Sequence, residues 1–215
     1  MRPELRGDAT AVIAPHGGGI EPGTSELAEA IAGADLSFYA FEGIKTNGNR
    51  VLHITSSRFD EPKALALVAA SPAVVALHGE LDCPDQVVFL GGLDKELGSG
   101  FKPHSKPQVL PLEFTTTRIC KASTKITFAI FGQSGQGVQL ELSQPLRYSF
   151  FASFDKRGRE RRTPQGDKFV DAVRKAILGG NAGAARKADK SNESQAFGFA
   201  AGGTKGSGDG GAGFL

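Results

Sequence analysis

Long apolar runs are missing from this chain. Hydrophobic residues make up 40% of it, yet no stretch approaches the roughly 18–20 consecutive apolar residues that cross a bilayer. The N-terminus, Met1-Arg2-Pro3-Glu4-Leu5-Arg6-Gly7-Asp8, puts no apolar stretch behind its positive charges, which argues against a secretory leader. The expectation is a soluble, cytoplasmic protein without a membrane partner. Cysteine is scarce too. Cys83 and Cys120 stand far apart with no framework or ligand spacing, so both are expected as free thiols. An excess of one charge is also lacking, with 25 Lys/Arg against 23 Asp/Glu. From Gly179 onward there are only four of the former and three of the latter, so no basic domain is concealed. Nucleic acid is thereby excluded as a main partner, since duplex binders concentrate basic charge.

What is present alternates short apolar runs with amphipathic stretches. Ala11-Val12-Ile13-Ala14 reads as a buried strand running into Pro15-His16-Gly17-Gly18-Gly19. A helix is expected from about Ser25 to Ala32, capped by Thr24 or Ser25 and stopped at Gly33. Phe38–Phe41 and Val51–Thr55 are aromatic and β-branched, hence strands. Asp60-Glu61-Pro62 offers a capping acid and an early proline before a helix over Ala64–Ala70. Val74–Leu77, Val87–Leu90, Ile126–Phe131 and Val138–Leu142 are read as further strands. Asp167–Leu178, with Phe169, Val173 and Ile177 on one stripe, is read as a helix. The alternation implies an α/β fold around a mixed, mostly parallel sheet. Residues 1–178 are expected to form one domain, and such a length supports one substantial core. Residues 179–215 hold eleven glycines and almost no periodic apolar pattern, the composition of a disordered tail.

Chemistry-bearing residues fall at the predicted strand ends, where open α/β sheets bind ligands. His16-Gly-Gly-Gly-Ile-Glu21 puts an imidazole and a carboxylate on one glycine-rich turn. Glycine lets the backbone fold tightly enough for both to face a common point. A phosphate cradle is the competing reading, but the turn lacks the Lys-Ser/Thr of a P-loop and carries Glu21 where an anion site wants no negative charge. His78 ends the strand Val74–Leu77 beside Gly79. Taken alone it would be an ordinary core histidine; with His16 and Glu21 it completes a His₂Glu set that leaves an open position on Zn²⁺. In Val138-Gln139-Leu140-Glu141-Leu142, Gln139 and Glu141 share one face. Glu141 either reaches the attacking water as a general base or lies on the wet face of an edge strand. Arg147, Arg118 and Arg58 are candidates for holding a carboxylate, Arg147 first because it follows Glu141 closely. His53 and Asp60 are candidates for orienting a ligand, and His104 stands alone in a loop. The basic run Lys156–Arg162 is either an exposed hairpin or a polyanion contact.

Six ordered segments add up to a family: His16–Glu26, Ser37–Gly43, Leu52–Ser56, Phe59–Pro62, Leu77–Gly79 and Gly137–Leu142. Over about residues 10–178 the chain resembles the poly-γ-glutamate hydrolases of phages and bacteria. The resemblance implies a metallocarboxypeptidase-like α/β/α sandwich and one zinc held by His16, Glu21 and His78. Gln139-Leu140-Glu141-Leu142 is also similar to a segment of formylglutamate deformylases, which implies Glu141 as general base. The implied protein is a monomeric zinc metallohydrolase acting on a polyanionic γ-glutamyl polymer or peptide, released on phage lysis. Peptidoglycan γ-D-glutamyl links, small N-acyl glutamates and a non-catalytic virion-associated binding role remain open alternatives.

Overall fold

Among the described residues there are seven strands, of which five answer apolar runs and β1 and β6 do not: β1 (Arg2–Glu4), β2 (Ala11–Gly18), β3 (Ser37–Gly43), β4 (Val74–Glu80), β5 (Val87–Gly92), β6 (Arg118–Lys121) and β7 (Val138–Ser143). The structure, a computed structural model, describes residues 1–6, 10–99, 118–121 and 128–179. The strands form one sheet in the order β1-β3-β2-β4-β7-β5-β6. The β2–β3, β2–β4, β4–β7 and β5–β6 pairs are parallel, while β1–β3 and β5–β7 are antiparallel. The sheet is therefore mixed and mostly parallel.

Both faces of the central strands are covered, which is why they are apolar at every position rather than at alternate ones. The helices are α1 (Thr24–Ala32), α2 (Pro62–Ala69), α3 (Lys95–Ser99), α4 (Gln144–Ser149) and α5 (164–179). On one face Val12, Phe38, Val75, Leu77 and Leu140 pack with Leu27 and Ile31 of α1, Leu146 of α4, and Phe169, Val173 and Ile177 of α5. On the other face Ala11, Ile13, Tyr39, Val74 and Ala76 pack with Ala64, Leu67 and Val68 of α2. Each fully buried branched or aromatic side chain here contributes about 1.5–3 kcal/mol. The result is an α/β/α sandwich.

Connectivity places the site. From β2 the chain passes through α1 to β3 on one side, then returns through α2 to β4 on the other. The strand order thus reverses between β2 and β4, and a crevice opens outside their carboxyl ends. Their pairing covers Ala11–Ile13 with Val74–Ala76 and stops short of His16 and His78.

Several sequence expectations need correction. Val51–Thr55 is not a strand: a 3₁₀ turn spans Asn49–Leu52, and the segment pairs with no strand of the sheet, so β-propensity has no ladder to act on. Phe128–Phe131 is likewise a 3₁₀ turn. Neither Thr24 nor Ser25 caps α1, because Gly23, at φ 95°, is the N-cap. The Thr24 hydroxyl instead donates to the Glu21 carbonyl (2.8 Å). Glu61 caps α2, its carboxylate accepting from the Ala64 N–H (2.8 Å). Cys83 is a free thiol. No helix among the described residues is long and apolar enough to cross a membrane. Of the expected tail, residues 179–215, Gly179 is the last residue of α5 and residues 180–215 lie outside the described residues.

Candidate metal centre

His16 owes its position to an irregularity at the end of β2. The pairing with β3 shifts register between Ala14 and Gly17, which turns the imidazole into the crevice. Gly18 then takes φ 63°, where a Cβ would stand 2.6 Å from the Gly43 carbonyl oxygen. Only glycine fits such a turn. The chain doubles back, and the Glu21 N–H donates to the His16 carbonyl (2.8 Å). Glu21 thereby comes to lie against the imidazole five residues before it. His78 enters from the carboxyl end of β4, where it is 2% exposed.

Four polar atoms converge. His16 Nδ1 lies 3.1 Å from Glu21 Oε1 and 3.1 Å from His78 Nδ1, and His78 Nδ1 lies 3.7 Å from Glu21 Oε2. One ligand atom from each of the three residues falls within 4.8 Å of the others. The other side of His16 decides what these atoms are. Its Nε2 lies 2.6 Å from the Ile54 carbonyl oxygen; a carbonyl only accepts, so the proton sits on Nε2 and Nδ1 presents a lone pair to the centre. A second imidazole nitrogen and a carboxylate therefore face an unprotonated nitrogen. A neutral His78 carries one N–H, and its Nε2 has no hydrogen-bond partner, so on Nδ1 that proton can bridge to His16; moved to Nε2, it leaves two imidazole nitrogens and a carboxylate facing one point, the arrangement a borderline dication completes.

Electrostatics agree. Burial pushes the His78 pKa down to about 3, against the pull of Glu21, so its imidazole is neutral at ordinary pH. Burial works against the Glu21 charge as well, but the adjoining His16 and His78 imidazoles and the Gly79 N–H hold its carboxyl below the usual range. That N–H donates to Glu21 Oε2 at 2.8 Å. Neutral imidazoles and an ionised carboxylate are the protonation states that bind metal. His53 joins from the open side, its ring 4.0 Å from that of His16 and its Nε2 3.3 Å from Glu21 Oε1.

Glu141 stands beside His78 in the β4–β7 register. The strand is interior, flanked by β4 and β5, so the edge-strand reading fails. Burial, followed by repulsion from Glu21, raises the Glu141 pKa to about 7, opposed by a hydrogen bond from the Gln139 amide. A carboxyl that titrates there can both accept and return a proton near neutrality. In metal-free protein we therefore predict a carboxyl ¹³C titration near 7 that disappears in Glu141→Gln. A dication at the three-residue cluster stabilises the carboxylate, so loading should move this midpoint down. An unchanged midpoint on loading would place the metal away from Glu141.

Arg147 does not face an open groove. It is 0% exposed, and its Nε, Nη1 and Nη2 donate to the carbonyls of Leu142 (3.1 Å), Pro22 (2.6 Å) and Glu80 (3.2 Å). The expected role as a carboxylate clamp is corrected on that ground: the guanidinium is buried and engaged by main chain. Of the other candidates, Asp60 and Arg58 are exposed, and Asp60 is not part of the cluster. His104 and the Arg118 side chain lie outside the described residues. In the basic run, Arg159 donates to Glu26 (2.7 Å) and Arg162 to Asp167 (2.8 Å), so these two arginines tie the surface to itself. Gln139 and the Gly79 N–H were not singled out as functional from sequence. The shared face of Gln139 and Glu141 was the available signal for the first; nothing local marks the second.

Several known proteins are similar to this chain. YndL of Bacillus subtilis (strain 168) is 36% identical over 169 residues, covering 77% of this chain and 64% of YndL. YmaC of the same organism is 34% identical over 165 residues, covering 73% of this chain and 66% of YmaC. The SPbeta prophage-derived YoqZ is 35% identical over 149 residues, covering 69% of this chain and 54% of YoqZ. The chain thus spans roughly half to two thirds of the length of these relatives. Among solved structures, a bacteriophage poly-gamma-glutamate hydrolase superposes with a TM-score of 0.70 at 28% identity, covering 81% of this chain and 86% of that one. The zinc-free form of YndL superposes at 0.71 and 29%, covering 82% and 88%. The sequence profile of the poly-gamma-glutamate hydrolases matches residues 2–172, which takes in every strand and the whole His16–Glu21–His78 cluster; this chain belongs to that family.

Proposed function

We propose that this chain is a zinc-dependent hydrolase of γ-glutamyl amide bonds, acting on poly-γ-glutamate or related γ-glutamyl peptides. The observation that carries the reading is the convergence of two imidazole Nδ1 atoms and the Glu21 carboxylate, one strand away from a carboxyl that titrates near 7. His16, Glu21 and His78 would hold the ion, and zinc when bound supplies Lewis acidity at an amide carbonyl and at water. Glu141 accepts the proton of the attacking water as the new C–O bond forms. It returns that proton to the departing nitrogen as the C–N bond breaks. Gln139 holds the Glu141 carboxylate in place through its amide N–H.

A γ-linked chain carries a free α-carboxylate on every residue, so cations must border the site. Residues 44–58 include Lys45, Arg50 and Arg58 and no Asp or Glu, all three side chains exposed. The same segment supplies His53 and the Ile54 carbonyl that bonds His16. It supports an anionic substrate approaching from that side, with long-range attraction raising local concentration. A purely binding protein would need no carboxyl of shifted acidity beside a donor set, which favours hydrolysis over a virion-associated role.

The test is metal analysis of protein purified without chelator, followed by incubation with γ-linked and α-linked polyglutamate and chain length read by gel filtration. One zinc per chain and shortening of the γ-linked polymer alone is the expected result. Equal cleavage of both polymers rejects the γ-glutamyl assignment. Cleavage of only a peptidoglycan fragment or an N-acyl glutamate moves the substrate to those classes.

A further inference from the structure

The three carbonyls held by Arg147 belong to three different segments, and each adjoins a residue of the site. Pro22 follows Glu21, Glu80 lies two residues beyond His78, and Leu142 follows Glu141. All three segments lie where the sheet gives out: Glu80 is the last residue of β4, Leu142 the last but one of β7, and Pro22 part of the turn beyond β2. The guanidinium reaches them from α4, which begins directly after β7. A planar fork with donors in fixed directions can bridge three carbonyls; an ammonium on a flexible stem cannot match that geometry.

Gly79 completes the device. Its N–H donates to Glu21 Oε2 (2.8 Å), while a Cβ on it would stand 2.7 Å from Arg147 Cζ. The glycine is thus pressed between the carboxylate on one side and the guanidinium on the other. Any side chain there displaces Arg147.

We propose that Arg147 is the positioning residue of the site: a buried staple that fixes the Glu21, His78 and Glu141 segments relative to one another, without touching substrate. The role rests on the metal-centre reading above for its purpose, and on the hydrogen bonds alone for its existence.

The experiment compares wild type with Arg147→Lys, Gly79→Ala and the double variant. In metal-free protein, amide hydrogen exchange reads the segments directly. The Gly79 and Glu21 amides should exchange at least about tenfold faster in Arg147→Lys, with β3 amides unchanged, since a local opening leaves the rest of the sheet closed. Zinc affinity, measured by chelator competition, should fall about 10–100-fold, as for other groups that orient ligands. Turnover should drop while KM stays within about twofold, whereas a substrate clamp would raise KM. Gly79→Ala should do the same, and the double variant should be no worse than Arg147→Lys alone, because both changes remove one contact. Unchanged exchange at Gly79 and Glu21, a KM rise without loss of zinc affinity, or additive single effects each overturn the proposal. Faster exchange in a protein whose wild type takes up no zinc supports the staple and overturns the metal reading instead.

Discussion

Glu141→Gln should bind zinc like wild type and lose roughly 10²–10⁴-fold of its turnover on a γ-glutamyl substrate. The amide keeps the shape of the carboxyl, and its oxygen still accepts from the Gln139 N–H, so packing between β4 and β5 is preserved. Basicity is what goes. The substitution also removes a group that burial makes reluctant to ionise. In the metal-free fold a carboxyl with a raised pKa favours folding most below the unfolded value near 4.5, and that contribution is lost as pH rises through about 7. The melting temperature of metal-free Glu141→Gln should therefore fall less than wild type between pH 5 and pH 8, about the window set by the two pKa values. Steady-state kinetics, metal content and thermal melts on one preparation separate the effects. Turnover near wild type, with zinc bound, would give Glu141 another task.

The second large effect is expected at Glu21. Glu21→Gln should abolish stoichiometric zinc and with it detectable hydrolysis. The neutral amide is a poor ligand, and losing a direct ligand should exceed the about 10–100-fold cost of losing an orienting group. The fold should survive, because the amide oxygen can still accept the Gly79 N–H that bonds Oε2 at 2.8 Å. Glu21→Ala leaves that donor without its partner, a loss of about 1–3 kcal/mol if it stays buried, and should melt earlier than Glu21→Gln. A further readout lies on the neighbouring strand. Repulsion from Glu21 is the second cause, after burial, of the raised Glu141 pKa, so removing the charge should move the Glu141 midpoint down from about 7. Full zinc occupancy in Glu21→Gln would transfer the ligand role to another group, His53 being adjacent at 3.3 Å.

The donor set was legible in the sequence because its first half is local. His16 and Glu21 are five residues apart across three glycines, and a turn of that length can only return the carboxylate toward the imidazole. His78 was legible because a continuous apolar run announced a covered strand and the histidine closed it. The two faces of β7 followed from a period of two, which holds whatever the strand's neighbours are. The same local logic failed at Val51–Thr55. Aromatic and β-branched composition favours a pleated surface only where one is on offer, and this segment lies outside the sheet as a turn that lends His16 a carbonyl.

By itself, then, the sequence determined the class of fold, the strand-end placement of its polar residues and the side-chain types of a candidate donor set and its neighbouring carboxyl. Each depends on periodicity, turn chemistry or side-chain type within a few residues. Whether Glu141 is buried or wet, and which groups Arg147 bonds, only the tertiary structure decided. Nearness to Glu141 in sequence suggested a groove, but the Arg147 partners lie 5, 67 and 125 positions away. They meet because β2, β4 and β7 are consecutive in the sheet. Strand order is a global choice, made by two helices packing on opposite faces and burying Ile31 on one and Leu67 on the other. No local pattern encodes which chain ends will be left together at the rim, or that one buried guanidinium will bond carbonyls of all three.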